Sequence, residues 1–290
     1  MKNKDTFFSK KSTISIRGKI IELSDPKIMG VLNVTPDSFY DGGRYTSEQL
    51  IIERVRQMIT EGADFIDIGA FSSRPGADFI SENDEVKRLE PALDAIRKHF
   101  PDSILSIDTF RSGIAKFAVE NFSIDMINDI FAGNADDNMY QTVADLGVPY
   151  IIMHMKGSPQ NMQKNPFYKN VTKEILMFFS EKLSRIRHAG VNDIIIDPGF
   201  GFGKTIEHNY TILKQLDVFK IFELPVMVGL SRKSFIYKVL KTVPEESLNG
   251  TTVLNTIALV NGASILRVHD VKEAKEAIRI TQMYLNATDR

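Results

Sequence analysis

The stretch DIIIDPGFGFGK, residues 193–204, decides the fold. Its first half sets isoleucines between two acids, the pattern of a strand buried on both faces. The strand then runs straight into Asp197, Pro198, alternating glycines and Lys204. Taken alone this is ordinary turn chemistry, since an Asp after a strand more often caps a helix or makes a turn than catalyses. The rest of the chain, however, repeats the arrangement with variations. Candidate strands lie at 27–34, 64–70, 104–109, 125–130, 150–155, 193–198, 226–231 and 264–270. Between them run amphipathic segments such as SEQLIIERVRQMITEG, SENDEVKRLEPALDAIRKHF and TKEILMFFSEKLSRIRHAG, with Ser47 and Ser81 as N-caps and Gly62 and Gly190 as helix stops. Apolar strands covered from outside by helices indicate a parallel sheet, and eight βα units in about 250 residues indicate an α/β chain folded as a (β/α)8 TIM barrel. TISIRGKIIEL (13–23) predicts a short N-terminal β-hairpin before the first barrel strand, covering the barrel floor. Residues 1–26 are thus expected as an extension with the hairpin, and 27–290 as a single barrel domain.

Composition narrows the function. With 43% hydrophobic and 25% charged residues, the 290-residue chain has the make-up of a globular protein with a sizeable core. A formal net charge of -1 gives no electrostatic case for nucleic acid or an acidic membrane surface. The absence of cysteine excludes disulfides, thiolate metal sites and a thiol nucleophile. No apolar run approaches the roughly 20 residues needed to cross a bilayer, and the basic N-terminus lacks the apolar stretch of a signal peptide, so a cytoplasmic address is expected. The histidines show neither HxH nor HExxH spacing, which argues against zinc. PGFGFGKT fails as a P-loop because Pro198 stands where glycine is required, and it fails GxGxxG as well. Lys204 is accordingly expected as a solvated loop lysine. Lys233, in SRKS beyond its strand rather than inside it, is poorly placed for a Schiff base.

A barrel gathers function at the C-terminal ends of its strands. Polar residues stand there on every candidate strand: Asn33, then Ser73 and Arg74, Asp108, Asn128, Met153 with His154, Asp197, Ser231 to Lys233, and Arg267 with His269. Burying such groups without partners costs roughly 1–3 kcal/mol each, and a shared ligand would satisfy them together. Two carboxylates and an Asn suit the hydrogen-bonding edge of a planar, nitrogen-rich ring. Arg267 can lay its guanidinium flat on that ring. Asn33, Ser73, Arg74 and His269 form a polar, partly cationic collar suited to phosphate oxygens. The residues therefore point to a heteroaromatic ring carrying an anionic, phosphorylated group, without identifying the ring.

The motifs IMGVLNVTPDSFYDGG (28–43), SSRPGA (72–77), SIDT (106–109), INDI (127–130), MHMKG (153–157), DPGFGFGK (197–204), GLSRKS (229–234) and RVHDV (267–271) resemble the dihydropteroate synthase family in order and spacing. The resemblance implies a barrel that joins 6-hydroxymethyl-7,8-dihydropterin diphosphate to 4-aminobenzoate with Mg2+, giving 7,8-dihydropteroate and diphosphate in folate biosynthesis. It implies that Asp108, Asn128, Asp197 and Lys233 hydrogen-bond the pterin, that Arg267 stacks on it, and that Met153, Phe202 and Gly229 shape the pocket. Asn33 would help hold Mg2+ and diphosphate, with Ser73, Arg267 and His269 as further diphosphate contacts. Arg74, Pro75, Phe202, Ser231 and Lys233 would frame the aminobenzoate, and Asp108, Asp197, Lys233 and Arg74 would carry the catalysis. A homodimer through the last helices is also implied. TTVLNTIALVNGAS (251–264) suits that packing, and suits packing on the barrel equally well. In two places the chain departs from the family pattern: Phe71 stands where many members have Glu, and Ser73 where they have Thr.

Three rival functions fit less well. A corrinoid-type pterin-binding methyltransferase barrel has no use for a diphosphate collar. A non-catalytic pterin-binding paralogue predicts loss of a collar residue, yet Asn33, Arg74, Lys233, Arg267 and His269 are all present. A generic phosphate-binding isomerase or aldolase barrel leaves the two inward acids and the Asn unexplained.

Overall fold

The computed structural model describes residues 13–35, 47–71 and 80–288. A hairpin comes first, β1 (Thr13–Ile16) paired antiparallel with β2 (Lys19–Glu22) across Arg17 and Gly18. Then strands and helices alternate: β3 (Lys27–Asn33), α1 (Ser47–Glu61), β4 (Phe65–Gly69), α2 (Glu82–His99), β5 (Leu105–Asp108), α3 (Ser112–Phe122) and β6 (Met126–Asp129). They continue as α4 (Met139–Leu146), β7 (Tyr150–Met153), α5 (Val171–His188), β8 (Ile194–Asp197), α6 (Ile206–Lys214), β9 (Met227–Val228) and α7 (Ser234–Leu240). The series ends with α8 (Leu248–Val260), β10 (Ile265–Val268) and α9 (Val271–Asn286).

The eight strands β3 to β10 form one parallel sheet in the order β8-β7-β6-β5-β4-β3-β10-β9. A parallel bridge between Ile196 and Val226, with Ile196 N donating to Pro225 O at 3.0 Å, joins β8 to the start of β9 and closes the cylinder. The helix ends follow local chemistry. Ser81 Oγ accepts from Asp84 N at 3.2 Å to start α2, whose first turn is acidic and last turn basic, matching the helix dipole. Gly62 and Gly190, both with positive φ, follow α1 and α5 as expected. The seventh barrel strand is shorter than 226–231. Pro225 has no N–H to give the ladder, and beyond Gly229 the chain turns through a left-handed Arg232 at φ 53°.

Side-chain alternation sorts the strands into layers. Ile66, Ile68, Ile107, Ile152, Ile196, Val228 and Leu266 face outward and pack with the helices in the main core. Met29, Phe65, Met126, Ile151, Ile195, Met227 and Ile265 face inward at the base, where they pack with Ile14, Ile16 and Leu23. The hairpin is thus the floor of the barrel, which leaves the opposite mouth open for polar groups.

Because Ile16 is buried in that floor while Ile20 is 73% exposed on β2, the two positions should respond differently to truncation. Ile16→Ala is expected to lower the unfolding free energy by about 2–4 kcal/mol and Ile20→Ala by less than about 0.5 kcal/mol, read from urea unfolding. Equal effects would contradict the floor assignment.

Candidate active site

Two residues above the floor, the inward positions become polar. On β4 the step from Phe65 leads to Asp67, on β6 from Met126 to Asn128, on β8 from Ile195 to Asp197, and on β10 from Ile265 to Arg267. Asp108 ends β5, paired in register with Asn128 on one side and Gly69 on the other. Arg267 ties the acids together: its Nε donates to Asp67 Oδ2 at 2.7 Å and its Nη2 to Asp108 Oδ2 at 2.9 Å. Asn128 Nδ2 donates to the same Asp67 oxygen at 2.9 Å. The other oxygen of each carboxylate, Asp67 Oδ1 and Asp108 Oδ1, is buried without a hydrogen-bond partner among the described residues. Buried acceptors in this state suit a ligand that brings N–H donors.

Asp197 is held from below by Gly199 N, which donates to its Oδ1 at 2.7 Å. Lys233 Nζ donates to Phe200 O and lies 4.6 Å from the centre of the Phe202 ring. Lys233 stands at the N-terminus of α7, just after the left-handed Arg232. Arg232 is fixed in turn by two 2.9 Å hydrogen bonds to Asp270 and by the carbonyls of Pro244 and Glu245. Ser231 Oγ accepts from His269 N at 3.3 Å and lies 3.2 Å from His269 Nδ1. A side-chain carbon on Gly69 would stand 3.5 Å from Asp108 Cβ and 3.7 Å from Asn33 Oδ1, so the glycine leaves Asn33 and Asp108 side by side at the rim. Gly229 gives similar room, 3.7 Å from Lys233 Nζ. Met153 belongs to an apolar shelf with Phe71, Phe110 and Ile130, against which Phe202 packs. Phe71 meets Phe110 edge-on at 5.2 Å, and Phe110 meets Phe131 at 5.0 Å. A carboxylate role at position 71 is therefore replaced by aromatic packing.

Known proteins share this chain's sequence and fold. The model of the pterin binding enzyme family matches residues 29–269. The dihydropteroate synthase of Escherichia coli (strain K12) is 40% identical over 275 residues, spanning 94% of this chain and 96% of that one. That of Haemophilus influenzae is 41% identical over 271 residues, spanning 93% and 98%. The Yersinia pestis dihydropteroate synthase solved with a sulfonamide drug superposes with a TM-score of 0.88 at 39% identity, over 95% of this chain and 100% of that one. The Xanthomonas albilineans dihydropteroate synthase solved with 4-aminobenzoic acid gives 0.88 at 34% identity, over 96% and 99%. This chain belongs to the dihydropteroate synthases, within the pterin-binding enzymes.

In this synthase cup the electrostatics are set by burial. Desolvation pushes the Asp108 carboxyl up to about 8 against the pull of Arg267, with Asp67 adding to the rise. Asp197 is likewise raised by burial, opposed by Lys233 and the Gly199 N–H. Burial takes Lys233 down to about 8 although Asp197 favours its charge, and takes His269 down to about 4, helped by Arg267. His269 is therefore a neutral imidazole near pH 7, and the collar's positive charge does not come from it.

The structure brings Asn33, Asp108, Asn128, Met153, Asp197, Phe202, Gly229, Ser231, Lys233, Arg267 and His269 to one mouth of the barrel. Ser73, Arg74 and Pro75 lie outside the described residues. One expectation is corrected: Lys204 is not solvated but 3% exposed, its Nζ enclosed by carbonyls and by His154. His154 itself turns outward from the strand end, edge-on to Phe178 of α5 at 4.9 Å. Asp67 is the site residue that motif matching overlooked. Its signal was parity, since Phe65, Asp67 and Gly69 share one face of β4.

The raised Asp108 carries a sign that stability can test. From the ordinary 3.8 to about 8, the folded chain holds a proton that the unfolded chain has released. Wild-type stability from this group is complete below 3.8 and is lost as pH rises through about 8. Asp108→Asn cannot ionise, so its melting temperature relative to wild type is expected to rise steadily between about pH 4.5 and about pH 8.5 in thermal unfolding. A difference that stays flat or shrinks would contradict the burial argument.

Proposed function

We propose that the cup joins 6-hydroxymethyl-7,8-dihydropterin diphosphate to 4-aminobenzoate, releasing diphosphate and 7,8-dihydropteroate. One observation carries this: the carboxyl oxygens Asp67 Oδ1 and Asp108 Oδ1 are buried without hydrogen-bond partners among the described residues, while Arg267 binds the other oxygen of each and Asn128 that of Asp67. A pterin edge supplies the missing N–H donors, Arg267 offers a flat cation to stack on the ring, and Asp197 with Lys233 takes its far side. Phe202, Ser231 and Lys233 on the neighbouring rim, with Arg74 and Pro75, frame the aminobenzoate. A relative solved with 4-aminobenzoic acid supports that substrate.

The carbon–oxygen bond to diphosphate breaks first, because an aryl amine is too weak a nucleophile to displace it. The methylene cation left behind is delocalised into the pterin. Asp108 and Asp197, ionised against ring N–H groups, stabilise it electrostatically inside a low-dielectric cup. The amine lone pair then forms the carbon–nitrogen bond, and its proton leaves to solvent or diphosphate. The shelf of Phe71, Phe110 and Met153 keeps water from trapping the cation. Asn33 suits Mg2+: it offers a hard amide oxygen at the rim beside Asp108, and Mg2+ bound with phosphates commonly takes only one or two protein oxygens. The ion, when bound, neutralises charge developing on the diphosphate. Ser73, Arg267 and His269 are the further diphosphate contacts, His269 as a neutral N–H donor.

Two further proposals concern the setting. The helices α8 and α9 pack on each other, and both leave apolar side chains exposed, Val253, Ile257 and Val260 on one and Ile280 and Met283 on the other. A second copy of the chain is the proposed cover. A cytoplasmic site follows from a diphosphate ester substrate that does not cross membranes. No helix among the described residues is long and apolar enough to span one.

The reaction is tested by incubating the protein with the pterin diphosphate, labelled 4-aminobenzoate and Mg2+. Labelled dihydropteroate is expected, and its absence refutes the proposal. Asp108→Asn is expected to lower kcat by about 10²–10³ while weakening pterin binding less than about tenfold. Equal losses would remove the cation-stabilising role. For the assembly, Ile257→Glu is expected to convert a dimer into a monomer in sedimentation velocity. A wild-type monomer at micromolar concentration would overturn it.

A further inference from the structure

Lys204 ends the stretch that decides the fold, and the proposed chemistry makes no use of it. Its Nζ donates to the carbonyls of Gly199 at 2.8 Å, Phe202 at 3.0 Å and His154 at 3.2 Å, and lies 3.0 Å from His154 Nδ1. An ammonium has three protons and no lone pair, so these four acceptors share them, and Nδ1, facing it as an acceptor, leaves the imidazole proton on Nε2. Two of these partners belong to the glycine turn 199–203 and two to the end of β7. The same seam is held by Tyr168 OH, which donates to Gly203 O at 2.9 Å, and by Gln163 Nε2, which donates to Gly201 O at 2.6 Å. Contact along the seam is at backbone distance. A side-chain carbon on Gly199 would lie 1.9 Å from His154 O, and one on Gly203 would lie 2.3 Å from Lys156 O, both at positive φ.

What the turn holds is the active site. Gly199 N binds Asp197, Phe200 O accepts from Lys233, and the Phe202 ring lies beneath the Lys233 ammonium. We propose that Lys204 is a positioning residue for the synthase reaction: by gripping carbonyls of two segments it fixes the 199–203 turn, and through that turn the places of Lys233 and Phe202. Packing alone does not account for it. A buried ammonium carries a desolvation penalty that Met or Leu in the same space avoids. Burial accordingly holds its pKa well below the ordinary lysine value, against the pull of Asp197.

The inference rests on the synthase reading for its substrates, so the test has two independent readouts. In full-length Lys204→Met, hydrogen exchange of the 199–203 amides is expected to quicken at least about tenfold. KM for 4-aminobenzoate should rise about tenfold, and the dissociation constant of the pterin, which Asp108, Asn128 and Arg267 hold independently of the turn, should rise by less. Because the chain has no cysteine, Lys204→Cys can be aminoethylated while unfolded, restoring an amine at similar reach. After refolding, both readouts should return toward wild type. A folded Lys204→Met with wild-type KM and wild-type exchange overturns the proposal, as does aminoethylation that restores neither. Should Lys204→Met not fold, Tyr168→Phe removes only the hydroxyl given to Gly203. It is expected to raise the same KM about threefold, and an unchanged KM overturns the proposal. A wild type without turnover sinks the synthase reading alone, since exchange of the turn still decides Lys204.

Discussion

Arg267 reaches from the last strand across the barrel mouth and binds one oxygen of Asp67 and one of Asp108. The rest of the site depends on that three-way pairing. Two carboxylates in one buried cup repel, and the guanidinium between them offsets part of that repulsion. With it they remain close together, yet burial still takes Asp108 to about 8, so the pairing offsets only part of the desolvation. The other oxygen of each carboxylate is left without a partner among the described residues. The fold is thus strained electrostatically where a ligand would relieve it, which is the preorganisation that stabilises developing positive charge.

This arrangement needs a barrel with one closed end. The hairpin supplies Ile14, Ile16 and Leu23 to an apolar floor, so inward positions near the base can be wholly hydrophobic and positions above it can be charged. Outward positions on the same strands belong to the helix-covered core, which fixes each strand in register. Site residues on strands inherit that rigidity. Lys233 and Phe202 sit on turns and need other devices, the Arg232–Asp270 clamp for one and the Lys204 grip for both.

Much of this was legible in the sequence because period-two alternation and strand-end polar residues are local signals. The eight barrel strands and the hairpin followed from them, and so did the convergence of Asp108, Asn128, Asp197 and Arg267. What escaped depends on contacts distant in sequence. Asp67 lies below the strand end, where no loop motif points to it; the parity of β4 is its one signal in the sequence, and its partners Asn128 and Arg267 show its place. Lys204 reads as a loop lysine until β7 is seen to bring the His154 carbonyl and ring to its amine. The ninth strand shrank because Pro225 and the turn at Arg232 outweigh the apolar composition of 226–231.

The central claim is that the empty cup keeps Asp108 protonated and that a pterin edge ionises it. Calorimetric titration with 6-hydroxymethyl-7,8-dihydropterin at pH 7, in buffers of differing ionisation enthalpy, counts the protons exchanged on binding. With the carboxyl at about 8 in the empty site, release of about one proton from Asp108 is predicted in the wild type, and correspondingly less release in Asp108→Asn. Binding of the pterin without proton release would contradict the account.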